Sequence, residues 1–528
     1  MAKVDVFAGA RLPRSPVYGM RGMVVSGHSL ASLAGLRMLE QGGSLADAMI
    51  ATSAVLTVVI PQATSAGGDA FILYHDAASG KTVGLNASGH APAGATPEAF
   101  AGGMKVRGPL AASVPGMIRG WEVLHQRYGK LPWKSLFGAA IDLAAHGHPL
   151  SRVLAAGLRL FNTDVAADPG LSALYMPGGV PLNAGDVLRQ PALAETLSEI
   201  AEKGAGAYYE GRIAKSIGDY SQSRGGLLSA GDFAGYQPEW VTPLETDYRG
   251  LTVRVMPPNS YGVLMLMQLN ALSGLSSDEL AGASTAQRLA WLMAAARATF
   301  AAGEKFIADP RTDPAPLDDM LGARQTQELQ HAVRTLSNGT AGGGKGGTSC
   351  IVMADKDGNA CSVVQSVFHV FGSAFMDPGT GILLNNRMTG FTHQPGLPRS
   401  VAPGKRPPHT LNPTMTLDGG RPRYLLTTPG GPAQTISLIQ VLTGLVDLKR
   451  ELSTCVEGPR WSIDLAGRAL VELGYDDATL AELGRLGYPT GRAEGASYFG
   501  SIKAVEVMKN GVLAGMADMR REAYAVGA

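Results

Sequence analysis

The sequence predicts an α/β fold in which helices cover both faces of stacked β-sheets. Three observations carry this. Apolar runs at helical spacing alternate with short strand-like runs along the whole chain, rather than falling into separate halves. Apolar residues make up 45% of the 528 positions, enough for a large core and too many for a disordered chain. Glycine and proline, 69 and 32 residues, are spread as punctuation between elements and form no long low-complexity tract. No internal repeat is visible.

In chain order, Met23 to Leu39 reads as a strand followed by a helix, and Asp47 to Val59 as a second apolar helix entered from Ser44. Gly67 and Gly68 form a turn that feeds a buried strand through Phe71 to Tyr74. Val114–Gly116 and Tyr128–Pro132 bracket a helix, and Ser135 to His146 is a further helix closed by Gly147. Residues 150–245 are helix-rich and more polar, Gly250 to Pro257 is a strand, and Ala286 to Phe306 is a long helix. Residues 310–347 turn polar and lose apolar periodicity towards their end, which predicts an exposed segment. Ser349 to Ala354 and Ala360 to Val367 then form a hairpin around an Asp-Gly turn. Arg423 to Thr428 is a strand, Gln434 to Val446 and Asp477 to Gly487 are helices, and two strands lie between Lys503 and Ala517.

Charge excludes several function classes. Forty-five basic against 44 acidic residues leave a net charge of +1, with no basic run to meet nucleic acid or a membrane surface. The three cysteines, Cys350, Cys361 and Cys455, allow neither a disulfide framework nor a zinc site, and Cys350 and Cys361 read as buried thiols of one hairpin. No metal or other cofactor is called for. The first residues lack a signal-peptide core, and the longest apolar run, near Ala51 to Ile60, is too short to span a bilayer. A cytoplasmic location is the default expectation.

The most informative segment is the glycine run Gly342–Gly347, broken only by Lys345, which ends on Thr348 at the start of the hairpin. Glycines give a strain-tolerant backbone just ahead of one hydroxyl residue. Self-cleavage before Thr348 would leave a threonine whose own α-amine sits beside its hydroxyl, a nucleophile with a built-in base. The run is not a phosphate loop, since Lys345 is not followed by Ser or Thr. Ser29, in Gly27-His28-Ser29, lacks the second glycine of a hydrolase elbow. His146 and His148 have no third ligand at useful spacing, and Asp69 reads as a turn residue.

Many short motifs, in order along the chain, now bear on identity. They are Gly42–Asp47, Gly67–Phe71, Val114–Gly116, Met256–Pro258, the Thr348 hairpin, Gly381–Asn386, Lys405–Pro407, Asn412–Thr414, Thr428–Gly431 and Gly458–Arg460. With these, the chain resembles the gamma-glutamyltranspeptidase family of N-terminal-nucleophile hydrolases from about Gly22 to Arg520. The resemblance implies a four-layer α/β/β/α sandwich, built from two fragments of one precursor that together form one globular unit. Cleavage between Gly347 and Thr348 would give a helix-rich large fragment, 1–347, and a small fragment, 348–528. It also implies that Ser366 supports Thr348, and that the Gly430 and Gly431 amides form an oxyanion hole. The expected partners are a small-molecule amide and the two fragments themselves, with a homodimer of such heterodimers left open.

The chain departs from the family where a γ-glutamyl group would be gripped. The family's carboxylate-binding arginine falls on Ser88, its amine-binding aspartate on Gly390, a neighbouring glutamine on Arg387, the paired serines on His409 and Thr410, and an asparagine on Phe368. Losing the arginine and the aspartate removes two charge-assisted contacts, each worth about 1.5–3 kcal/mol. Arg387, His409 and His90 are the new potential anion ligands, although Arg387 also suits a structural ion pair. The expectation is therefore an amidohydrolase acting on a linear amide of a small acidic acyl group, in the pattern of the oxamate amidohydrolase and cephalosporin-acylase-like branch. A true gamma-glutamyltransferase or glutathione hydrolase, and an unprocessed binding protein, are the alternatives.

Overall fold

The structure is a computed structural model that describes residues 14–337, 347–464, 467–493, 495 and 499–528. The first thirteen residues and Gly342–Gly346 of the glycine run lie outside the described residues. The strands that build the sandwich are, in chain order, β1 (Val17–Gly19), β2 (Gly22–Ser26), β3 (Asp69–Asp76), β4 (Lys81–Ala87), β5 (Glu239–Val241), β6 (Leu244–Tyr248), β7 (Leu251–Val255), β8 (Gly347–Asp355), β9 (Ala360–Phe368), β10 (Thr414–Asp418), β11 (Arg421–Thr427), β12 (Lys503–Val507), β13 (Leu513–Ala517) and β14 (Tyr524–Gly527). Among the described residues they form two seven-stranded antiparallel sheets. One has the order β14-β2-β8-β9-β3-β4-β5 and the other β1-β13-β12-β11-β10-β7-β6.

Period-two alternation explains how these strands share out their side chains. In β8, Ile351 and Met353 join the core beneath the helices, while Cys350 and Val352 face the other sheet. A strand covered on both sides reads as a continuous apolar run, as this one does. Three stacked cores result. Helices Ser29–Glu40, Leu45–Val59, Met117–Tyr128 and Pro191–Lys203 pack on the first sheet. Helices Gly262–Leu272, Thr285–Gly303, Ala323–Arg334 and Gln434–Val446 pack on the second. Phe71, Leu73, Val364, Met415, Leu425 and Val505 fill the space between sheets. This is the four-layer α/β/β/α sandwich.

Local chemistry sets the boundaries. Ser44 caps the helix Leu45–Val59 in a capping box with Asp47. Gly147, at φ 99°, ends the helix Gly138–His146, which is preceded by a 3-10 turn at Trp133–Phe137. Cys350 and Cys361 are buried on opposite faces, in the inter-sheet core and the helix-side core respectively. Within 310–347, Ala323–Arg334 is a largely exposed helix that buries Leu329 and Val333 against the second sheet's helices. Most of the last third, 338–346, lies outside the described residues.

Candidate active site

The catalytic candidates gather at one end of the sandwich because several strand ends meet there. β8 begins at Gly347, β9 ends at Phe368 and β3 begins at Asp69. Ser366 pairs directly with Asp69, and Gly347 pairs with Phe368. The register slips between Gly347 and Ser349, a bulge that frees Thr348 from regular pairing. Thr348 Oγ1 lies 3.1 Å from Ser366 Oγ, and Ser366 Oγ donates to the Gly347 carbonyl at 2.6 Å. The Phe368 amide in turn donates to Ser366 Oγ at 2.7 Å. One serine hydroxyl therefore contacts both the threonine hydroxyl and the carbonyl of the Gly347–Thr348 bond.

The second sheet brings its own end to the same place. β11 and β8 face each other across the inter-sheet core, and the Thr427 hydroxyl of β11 meets Cys350, two residues from Thr348. Beyond β11 the chain turns through Thr428–Gly431, with Gly430 at φ 144° and Gly431 at φ 58°. These conformations are open to glycine and strained for any other residue. Both residues are buried, and among the described residues no acceptor bonds either amide. Two buried, unpartnered N–H groups are what an oxyanion hole requires.

Asp69 is the unexpected centre of the site. Reading it as a turn residue missed that its carboxylate is buried and saturated. Oδ1 accepts the Gly89 and Gly116 amides at 2.8 and 3.2 Å. Oδ2 lies 3.1 Å from His409 Nε2 and 3.5 Å from Arg387 Nε. Gly68 precedes it because a Cβ there would come within 2.7 Å of the Ser366 carbonyl. The Gly-Gly-Asp triplet was the available signal; its pairing with Ser366, almost 300 residues away, was not.

Arg387 begins a 3-10 turn, Arg387–Gly390. Asn385 pins its amide and also bonds the Gly67 and Ser113 carbonyls, which ties this turn to the start of β3. The guanidinium lies 4.5 Å over the Phe368 ring and is 1% exposed, yet none of its three nitrogens has a hydrogen-bond partner. Burial pulls it down to about 9, against the opposing pull of Asp69. His409 packs its ring on Phe71, and burial, then the nearby Arg387, holds it down at about 4. Its Nδ1 is also buried without a partner.

The other expected positions have these surroundings. The Ser88 hydroxyl is occupied by Asn86 Oδ1 at 2.6 Å, within a closed network that includes Asn259. His90 bonds the Ala91 carbonyl and faces Tyr236. Gly390 packs against Pro407 and Pro408 and presents no carboxylate, and Thr410 is buried beside His409. The described residues contain no cluster of metal-ligating side chains, and none of their helices is long and apolar enough to cross a membrane.

The family model for gamma-glutamyltranspeptidase matches residues 31–528. The chain belongs to the gamma-glutamyltranspeptidase family. It is 33% identical over 527 residues to the glutathione hydrolase-like YwrD proenzyme of Bacillus subtilis, covering 97% of this chain and 99% of that protein. It is 31% identical to the oxamate amidohydrolase proenzyme of Klebsiella pneumoniae, covering 96% of this chain and 98% of the relative. Among solved structures it resembles cephalosporin acylase from Bacillus halodurans, with a TM-score of 0.91 and 30% identity over 100% of this chain and 99% of the other. The gamma-glutamyltranspeptidase-family chain is thus an enzyme of a hydrolase and acyltransferase family, on that family's fold.

Proposed function

We propose that the chain is an autoprocessing amidohydrolase with Thr348 as its N-terminal nucleophile, and that it cleaves a linear amide of a small acidic acyl group. The observation that carries the substrate reading is the Arg387 guanidinium, buried without a hydrogen bond and 3.5 Å from Asp69, which pairs in register with Ser366. A buried cation without hydrogen bonds is costly unless a ligand supplies them.

In maturation, Thr348 Oγ1 attacks the Gly347 carbonyl while Ser366 relays the proton and holds the carbonyl oxygen. The C–N bond breaks as the acyl group passes to oxygen, and water hydrolyses the resulting ester. The freed α-amine, which ordinarily titrates near 7.7–8.0, is then the general base. Thr348 attacks the substrate amide, the Gly430 and Gly431 amides hold the oxyanion, the amine departs, and water releases the acid. The names of the relatives as proenzymes support fragments 1–347 and 348–528 of one precursor.

A γ-glutamyl donor fits this pocket poorly. Its ammonium would sit near Arg387, Gly390 offers it no carboxylate, and Asp69 is already saturated. The test is turnover of glutaryl-p-nitroanilide against gamma-glutamyl-p-nitroanilide, with Thr348→Ala as control. The glutaryl compound should be the faster by at least tenfold, and Thr348→Ala should abolish both chain splitting and turnover. Faster γ-glutamyl turnover would sink the substrate reading; splitting of Thr348→Ala would sink the nucleophile.

A further inference from the structure

An acidic acyl group on Arg387 leaves one buried polar atom beside Asp69, His409 Nδ1, without a part, and any role for that atom rests on the acidic-acyl reading. His409 Nε2 lies 3.1 Å from Asp69 Oδ2, and a carboxylate oxygen beside an arginine accepts, so Nε2 carries the hydrogen of that bond. The ring is held neutral by burial and by Arg387, which leaves Nδ1 as a bare lone pair. That atom is fully buried and has no partner among the described residues. Arg387 approaches the same Asp69 oxygen from its own side, so an array of donors and a single acceptor flank one atom.

The acid group held by Arg387 cannot also satisfy Nδ1, because an anionic oxygen and a lone pair repel. An ammonium could reach the lone pair, but it would have Arg387 for a neighbour and no free carboxylate to balance it. A neutral hydroxyl meets neither objection. Its hydrogen answers Nδ1, and its oxygen remains free to accept from the guanidinium.

We propose that His409 is a specificity-determining residue whose Nδ1 accepts a hydrogen bond from a hydroxyl next to the substrate's carboxylate, so that the substrate is an amide of a hydroxy-dicarboxylic acid. The distinction is useful because a site built to bond a hydroxyl discriminates against the analogue that lacks it, whose binding leaves a buried acceptor unanswered.

The test compares kcat/KM of the mature enzyme for two pairs of p-nitroanilides, 2-hydroxyglutaryl against glutaryl and malyl against succinyl, with γ-glutamyl as reference. At least one hydroxylated compound should exceed its plain partner by about fivefold to tenfold. In His409→Leu that ratio should fall to about one, because leucine offers the hydroxyl no acceptor. If the variant does not mature, competitive inhibition of the wild type by 2-hydroxyglutarate against glutarate reads the same preference. Plain compounds equal to or better than hydroxylated ones in the wild type would overturn the proposal and leave the acidic-acyl reading standing. A preference that survives in His409→Leu would also overturn it. A γ-glutamyl compound faster than all four would instead overturn the acidic-acyl reading beneath it.

Discussion

Replacing Arg387 by methionine separates a ligand-binding arginine from a structural one, because the two roles predict opposite changes in stability. Burial pulls the guanidinium from its ordinary 12.5 to about 9. At 1.36 kcal/mol per pH unit, this lowering amounts to about 4–5 kcal/mol of cost to the folded state. The sign follows from the lowered value: the cost is fully present below about pH 9 and fades as the pH rises towards 12.5. No hydrogen bond offsets it, since all three nitrogens are unpartnered. The Phe368 ring at 4.5 Å returns about 0.5–2 kcal/mol, which the substitution forfeits. Asp69 also loses a neighbouring cation, although it keeps His409 and two amides. Arg387→Met should therefore stabilise the empty enzyme by about 1–3 kcal/mol, or about 1–3 °C for a chain of this length. Calorimetry at neutral pH and one fixed scan rate measures this, since a protein of this size need not unfold reversibly. The same variant should lose about a hundredfold or more in kcat/KM on glutaryl-p-nitroanilide. Glutarate at a hundred times its Kd should stabilise the wild type by about 3 kcal/mol and the variant not at all. A fall of several degrees in Tm with glutaryl turnover retained would refute the reasoning and make Arg387 the structural partner of Asp69.

Three further outcomes are expected. Ser366→Ala removes the hydroxyl that contacts both Thr348 and the Gly347 carbonyl, so denaturing mass spectrometry should find intact chain long after the wild type has split, and Ser366→Thr should restore splitting. Gly500→Ala places a Cβ at φ +72°, 2.3 Å from Thr428 Oγ1 and 2.8 Å from the Pro429 carbonyl. It should lower kcat by about tenfold to a hundredfold by displacing the segment that leads to Gly430, with KM little changed. Lys503 is buried and bonds only Ser501, and burial pulls it from 10.5 to about 8, so its cost is full below about pH 8 and fades towards 10.5. Wild-type stability, measured by urea midpoints, should therefore gain on that of Lys503→Met as the pH rises from about 7.5 to about 10; parallel curves would contradict this.

How much of this was legible in the sequence depended on the range of each interaction. The capping box at Ser44 and Asp47, the glycine stop at Gly147 and the hairpin around Thr348 are local, and their residues announce them. Thr348 stood out because a glycine run ends on it at the start of a hairpin, whereas Ser366, Gly430 and Gly431 were singled out through the family resemblance; the structure places all four near strand ends. Asp69 was not, because its meaning comes from pairing with Ser366 and from contact with His409, 340 residues away. The strand Tyr524–Gly527 was missed for the same reason: four residues become a strand only because β2 offers them an edge. Ser88 was legible as the place where the family's arginine is lost, but not that Asn86, two residues away, engages its hydroxyl.

The site divides along the same line. Thr348 and Ser366 are fixed by three adjacent strands, whose pairing and shared core leave little freedom. Arg387 and His409 come instead from a 3-10 turn and from the segment leading into β10, and they meet the strands through Asp69, Phe71 and Phe368. On the proposed reading, substitutions in those two segments should change which acyl group is held without moving Thr348, because no ladder hydrogen bond passes through either side chain. Asp69 lies on both sides of the division: it begins β3, hydrogen-bonds His409 and ion-pairs with Arg387 at 3.5 Å. Asp69→Asn should therefore be the variant in which chain splitting and substrate selection fail together, whereas Arg387→Met and His409→Leu should lose selection and keep splitting.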